Sequence, residues 1–173
     1  MKRALIVAVA LAALVALPAP DWAQTKTDFS GSWTFDASKS DAAAAAGRRG
    51  GGGGRMGGGG PAAAMTVTQS PTHITIDRTI GQGATSAVYK LDSSESTNLM
   101  GDVFLSRSRV SWDGPKLVIT TRKDLGLTPS GPMAEESKEI FSLEGGVLTV
   151  VTTTRIPPAG EQTRRLVYNK KMS

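Results

Sequence analysis

The sequence predicts an all-β fold, an antiparallel up-and-down barrel of about eight or nine strands, with a two-sheet β-sandwich as the alternative. Three observations carry this expectation. Short β-prone runs recur at regular spacing from residue 65 onward, separated by clusters of Gly, Pro, Asn, Asp and Ser. Past the N-terminal leader, no ten-residue stretch sustains the 3.6-residue period of a helix. Residues 102–124, DVFLSRSRVSWDGPKLVITTRKD, place two alternating runs on either side of Asp113-Gly114, a strong short-range hairpin signal. Sequential hairpins leave two open edges, and pairing the first strand with the last removes both. The lack of an obvious long crossover favours that closure over the sandwich.

Residues 1–23 have the layout of a secretory signal peptide. Lys2-Arg3 form a positive start, Ala4 to Ala16 an apolar stretch too short to span a bilayer, and the expected cut follows Ala23. A single β-barrel domain is expected over residues 24–173, in the periplasm or secreted. The chain has no cysteine, which excludes a lipid-modified N-terminal Cys, disulfides and thiolate metal sites. Its formal charge is +5, and loss of Lys2, Arg3 and Asp21 with the leader lowers this by one. A mildly basic exported protein can lean on an anionic surface, so a peripheral envelope contact is one expectation.

Residues 29–36 read as the first strand, with Phe29, Gly31, Trp33 and Phe35 on one face. Residues 36–41 then turn away. Residues 42–64 are low in complexity, alanines and then glycines interrupted by Arg48, Arg49, Arg55 and Met56. Glycine loses the most entropy on ordering and nothing there repays it by burial, so a flexible loop inside the domain is expected. Its arginines among glycines resemble RNA-binding Arg-Gly-Gly segments, but behind a secretory leader no nucleic-acid partner is expected.

Strands are expected at 65–69, 73–80 and 84–91, with 92–98 as a polar loop. A two-residue Asp113-Gly114 turn would set Trp112 opposite Pro115, Val110 opposite Leu117, Ser108 opposite Ile119 and Phe104 opposite Lys123. Phe104, Val110, Trp112, Leu117 and Ile119 then share one face, and Arg107, Arg109, Lys116, Thr120 and Arg122 the other. Residues 125–132 read as a Gly/Pro-rich connection. A hairpin around Gly145-Gly146 pairs 135–143 with 147–156, setting Phe141 near Val150, Leu143 near Leu148, and Glu136 opposite Arg155 as a surface ion pair. Residues 162–170 form the final strand.

With the strands laid out, Gly31-Ser32-Trp33 after an exported leader, and Arg164 or Arg165 in the last strand, resemble the lipocalin and fatty-acid-binding-protein group. The phrases Phe29-Ser30-Gly31-Ser32-Trp33, Lys39-Ser40 and Trp112-Asp113-Gly114 also resemble a set of small exported bacterial lipocalin-like proteins. The resemblance implies a barrel opened by the Gly-x-Trp, a late arginine packed over Trp33, and binding of a small apolar or amphipathic ligand. A second likeness, of residues 80–90 to a protein-kinase Gly-rich loop and of Asp124-Leu125-Gly126 to a kinase metal-binding motif, lacks the catalytic loop a kinase requires. A hairpin turn accounts for Gly81 and Gly83.

Chemistry is sparse. His73 is the one histidine, which leaves no Ser-His-Asp set and no multi-histidine metal site. Glu135, Glu136 and Glu139 alternate between strand faces, and Asp92, Glu95 and Asp102 lack calcium-loop spacing. The expectation is therefore a monomeric, non-enzymatic protein with no catalytic residue, metal or cofactor. Candidate ligand contacts are Trp33, Phe104, Trp112 and Phe141 as apolar surface, and Arg107, Arg109 and Arg122 for a carboxylate or phosphate. The second reading is an interaction module of the bacterial envelope, meeting an anionic partner through the basic face and the Gly-rich loop.

Overall fold

The computed structural model describes residues 26–41, 61–100, 104–128 and 131–171. The expected leader, most of the Ala/Gly-rich stretch and three short pieces lie outside the described residues. The strands are β1 (Gly31–Phe35), β2 (Ala64–Gln69), β3 (His73–Ile80), β4 (Gly83–Lys90), β5 (Ser96–Met100), β6 (Phe104–Asp113), β7 (Lys116–Thr128), β8 (Gly131–Glu144), β9 (Val147–Ile156) and β10 (Gly160–Lys170). They form one antiparallel sheet in the order β4-β3-β2-β1-β10-β9-β8-β7-β6-β5. β1 pairs with β10, Trp33 opposite Lys170, so the first and last strands meet as expected. The result is a nearly closed barrel.

Ten strands stand where eight or nine were expected. The additional pairing comes from residues taken as connections. Ser96–Met100 pairs with β6 despite its polar lead-in. β7 and β8 run on to Thr128 and Gly131, past a register shift between Asp124 and Gly126. That bulge absorbs the Asp124-Leu125-Gly126 motif. At the other hairpins β3, β9 and the Gly145-Gly146 turn match expectation, with Phe141 opposite Val150 and Leu143 opposite Leu148. Of the stretch 42–64, expected as loop, residues 61–64 join the fold: Ala62 is buried, the Ala63 amide donates to the Thr79 carbonyl, and Ala64 opens β2.

The central hairpin has the expected faces but a shifted register. Trp112 lies opposite Leu117, Val110 opposite Ile119 and Ser108 opposite Thr121, with Asp113 paired to Lys116 across Gly114-Pro115. Gly114 has φ of 59°. An Asp-Gly loop of type I′ needs positive φ at both residues, whereas glycine followed by a proline fixed at negative φ is the order type II′ takes. Proline thus moves the turn by one residue. Because the two pairing positions move together, every side chain keeps its face.

The strip 36–41 does not turn away but docks along β10. The Asp36 amide donates to the Val167 carbonyl, the Val167 amide to Ser40 Oγ, and the Asp41 amide to the Arg165 carbonyl, while Asp41 Oδ2 accepts from the Arg165 amide. Asp36 organises this strip. Its carboxylate accepts from Ser38 Oγ and the Ser38 amide, from the Lys39 amide and from Asn169 Nδ2. Donation by Ser38 and then Asn169 holds the Asp36 carboxyl well below the usual carboxylate range.

The seam between β4 and β5 closes without a backbone ladder. Asn98 substitutes for one: its Oδ1 accepts from the Val88 amide at 2.8 Å and its Nδ2 donates to the Val88 carbonyl at 3.0 Å. Ser96 Oγ accepts from the Lys90 amide at 2.8 Å. One side-chain amide therefore satisfies both backbone groups that a neighbouring strand would have satisfied.

Asn98→Ala is expected to cost about 1–2 kcal/mol in urea unfolding and to accelerate amide exchange at Val88 while leaving β9 amides protected. The depressed Asp36 pKa makes its contribution full above the ordinary carboxylate value of about 3.9 and lost as pH falls through the folded value. The stability advantage of wild type over Asp36→Asn should accordingly be constant near neutrality and shrink below about pH 4, measured by chemical denaturation across pH.

Candidate functional site

The in-facing side chains of the long strands change character halfway along. On β7 they run Leu117, Ile119, Thr121, Lys123; on β9 Leu148, Val150, Thr152, Thr154; on β8, in the reverse direction, Phe141, Glu139, Ser137, Glu135; on β6 Trp112, Val110, Ser108, Ser106. Antiparallel pairing brings like ends together. One end of the barrel is consequently apolar and filled, and the other is polar.

At the filled end Phe29, Trp33, Phe141, Leu117, Ile119, Leu148 and Ile74 are sealed from solvent. Phe29 stacks on Trp112 and meets Phe141 edge-on, both with ring centroids 6.2 Å apart. Trp33 Nε1 donates to the Phe29 carbonyl at 3.1 Å, so its buried polar atom is satisfied. Trp112 Nε1 is buried with no hydrogen-bond partner among the described residues. The cation over Trp33 is Lys170, with Nζ 5.7 Å from the ring centroid, and not the arginine the resemblance implied. Arg165 reaches the Lys39 carbonyl and Arg164 reaches Gln162. Gly31, at φ 145°, permits this arrangement: a Cβ there would stand 2.9 Å from Lys170 Cε.

Above this floor lies a cavity of about 510 Å³, within the range of small-molecule sites. Met65, Ile80, Val150, Ile156 and Leu166 give it apolar wall, and Ser106, Thr121, Ser137, Thr152 and Thr154 a band of hydroxyls. Two ion pairs face it. Arg78 of β3 reaches Glu139 of β8, Nη2 lying 3.0 and 2.9 Å from the two carboxylate oxygens. β3 and β8 stand five places apart in the ten-strand order, so this pair crosses the lumen from wall to wall. Burial disfavours the charged guanidinium, but the Glu139 carboxylate, with Tyr89 and Tyr168 adding to it, more than offsets this and raises the Arg78 pKa above its ordinary value. Tyr89 borders the pair, and burial pushes its hydroxyl pKa up, keeping it neutral. The second pair, Lys123 and Glu135, joins register partners at 3.2 Å. The contact is made to Glu135 Oε2, a buried oxygen whose charge the Lys123 ammonium balances.

Six of the seven candidate contacts lie away from the cavity, and the side chain of the seventh, Phe104, lies outside the described residues. Trp33, Trp112 and Phe141 belong to the filled floor. Phe104 opens β6, next to residues outside the described set. Arg107, Arg109 and Arg122 point outward, where Arg107 meets Asp124 at 3.3 Å, Arg109 meets Glu95 at 3.6 Å, and Arg122 meets both Asp124 and Glu136. Glu136 therefore pairs with Arg122 of β7, in place of the expected ion pair with Arg155, its register partner on β9. Of the residues that do border the cavity, Arg78, Lys123 and Tyr89 were not singled out from the sequence, and Glu135 and Glu139 were considered only as a carboxylate pair and set aside. Their signal was present in the switch from apolar to polar at every second residue.

No family model and no curated protein sequence matches the chain. Solved structures do. A SAHS (abundant heat soluble) protein of Ramazzottius varieornatus is similar at TM-score 0.58 and 15% identity, over 86% of this chain and 98% of that one. The REP1-NXSQ fatty acid transporter is similar at TM-score 0.55 and 12% identity, over 83% and 96%. Zebrafish ileal bile acid-binding protein, complexed with cholic acid, is similar at TM-score 0.54 and 14% identity, over 83% and 98%. The fold is thus the lipocalin and fatty-acid-binding-protein type of barrel.

The cross-lumen pair yields a prediction of its own. Arg78→Met alone strands a carboxylate in the lumen and should cost about 3 kcal/mol, whereas Arg78→Met with Glu139→Leu should recover most of that loss. Urea denaturation of the single and double variants checks this.

Proposed function

We propose that the protein is an exported, non-enzymatic carrier that binds a small amphipathic molecule inside the barrel. The observation that supports this best is the half-filled lumen. Hydrophobic packing stops at the level of Val150, and the strands continue upward around a cavity that combines apolar wall with polar groups. Such a mixture suits an amphipathic guest. Barrels of the same fold include a fatty acid transporter and a bile acid-binding protein, which supports the same reading.

Catalysis has little to work with. Glu135 and Glu139 share a face but lie four residues apart on one strand, about 13 Å along it, beyond the carboxylate spacing of glycosidases. Each already has a cationic partner. His73 sits at an exposed strand entry with Thr72 as neighbour. The outward arginines have acidic partners too, which favours the interior over the basic face as the place of binding. Export rests on residues 1–23, which lie outside the described structure; a mature N-terminus at Gln24, read by intact mass, is the expected product.

Titration with Nile red, a neutral apolar dye, tests the interior site. Saturable fluorescence with a dissociation constant below about 10 μM is expected, and Val150→Trp, which fills the cavity floor, should abolish it while the protein stays folded. Dye binding that Val150→Trp leaves unchanged would place the site elsewhere.

A further inference from the structure

The Arg78–Glu139 pair bears on which guests the lumen admits as well as on how its walls are tied, an inference that rests on the interior site proposed above. Glu139 is the first in-facing residue beyond buried Phe141 on β8, and Arg78 the first beyond buried Ile76 on β3. The pair therefore crosses the lumen directly above the packed floor. Going around the barrel from β3 to β8, the two directions meet different linings. On one side β2, β9 and β10 supply Met65, Val150, Leu166 and Tyr168, which form an apolar bay. On the other side β6 and β7 supply Ser106, Thr121 and Lys123, with Tyr89 of β4 beside the guanidinium.

The apolar bay is short. Thr152 of β9 is the register partner of Glu139, and Arg164 of β10 is the register partner of Thr152, so polar side chains return at the level of the ion pair. From Tyr168 to Arg164 is four residues of β10, about 13 Å of strand. Hydrocarbon in the bay cannot spread sideways either. Arg78 and Glu139 keep their remaining exposure toward the cavity. An alkyl chain pressed against them would remove that water without replacing its hydrogen bonds. Parting the two side chains would instead leave two charges without partners.

We propose that the Arg78–Glu139 pair is the specificity-determining element of the cavity. It confines the hydrocarbon of a guest to the bay of Met65, Val150, Leu166 and Tyr168, and so selects compact amphiphiles over long straight chains. The polar end of such a guest lies at the level of Thr152 and Arg164, where Arg164 has the neutral Gln162 as its partner.

Displacement of Nile red by 1-octanol and 1-dodecanol tests this, because the two share one neutral headgroup and differ only in chain length. Their four extra methylenes, if freely buried, are worth on the order of 200-fold in affinity. Wild type is expected to gain less than about tenfold from 1-octanol to 1-dodecanol. Arg78→Ala with Glu139→Ala removes both arms, leaves no charge without its partner, and should raise that gain to at least about fiftyfold. Should the double variant fail to fold, Leu166→Trp, which fills the bay, should weaken 1-octanol by at least about tenfold. A gain near the freely buried value in wild type would overturn the proposal. So would an unchanged gain in the double variant, or unchanged 1-octanol binding in Leu166→Trp. Nile red binding that neither alcohol displaces would overturn it too, while leaving the interior site standing. Absence of Nile red binding would instead remove the interior site itself, and the proposal with it.

Discussion

A ten-stranded sheet curled on itself encloses more volume than ordinary side chains fill. Eight strands leave an interior just wide enough to be packed solid or to hold one small ligand, and the diameter grows with strand number. This chain meets the excess unequally. At the end where β1 meets the foot of β10, three buried aromatic rings, Trp33, Phe29 and Phe141, fill the interior, with Trp112 stacked against Phe29. Beyond that level the large apolar residues give way to Thr, Ser and charge, and the lumen stays open. The Arg78–Glu139 pair spans this opening and ties opposite walls where no packed core does so.

That pair would be costly in an ordinary core, since desolvating two charges can exceed their attraction. Its position lessens the cost. The side chains keep 16% and 18% of their exposure, facing the cavity and not packed hydrocarbon, and Tyr89 lies against the guanidinium. The outer surface follows the same balance. Arg107, Arg109, Arg122, Asp124, Glu95 and Glu136 form short mixed-sign contacts, each exposed and worth little singly. The net positive charge of the chain is therefore not concentrated on the β6–β7 face.

Much of this architecture was legible from alternation and turn chemistry. Period-two patterning placed β3 and β9 to the residue, and Gly145-Gly146, with φ of 56° and 77°, set the β8–β9 register because both residues tolerate the turn that hairpin needs. The Gly114-Pro115 turn misled because the Asp-Gly signal outweighed the constraint proline places on φ. β5 was lost because its polar residues Ser96 and Asn98 serve the seam to β4, a role that depends on barrel closure and has no local signature. The cavity was overlooked for a different reason. Large aromatic and exposed basic residues drew attention as binding groups, yet in a barrel the largest in-facing residues fill the floor. The cavity is marked by small polar residues that continue the same in-facing series, as Thr152 and Thr154 continue Leu148 and Val150. Which of two strand faces is the inside was settled by Leu117 and Ile119; where along the strand the filling stops needed the register of all ten.

A filled floor beneath an accessible lumen can be probed one position at a time, because the chain has no cysteine. Single cysteines at Thr152, in the cavity wall, and at Leu148, in the floor of the same strand, can be challenged with a small neutral methanethiosulfonate reagent. Rapid modification at 152 and protection at 148 are expected in the folded protein, with both reactive in urea. Protection at both positions would contradict this, because it would mean that side chains fill the barrel along its whole length.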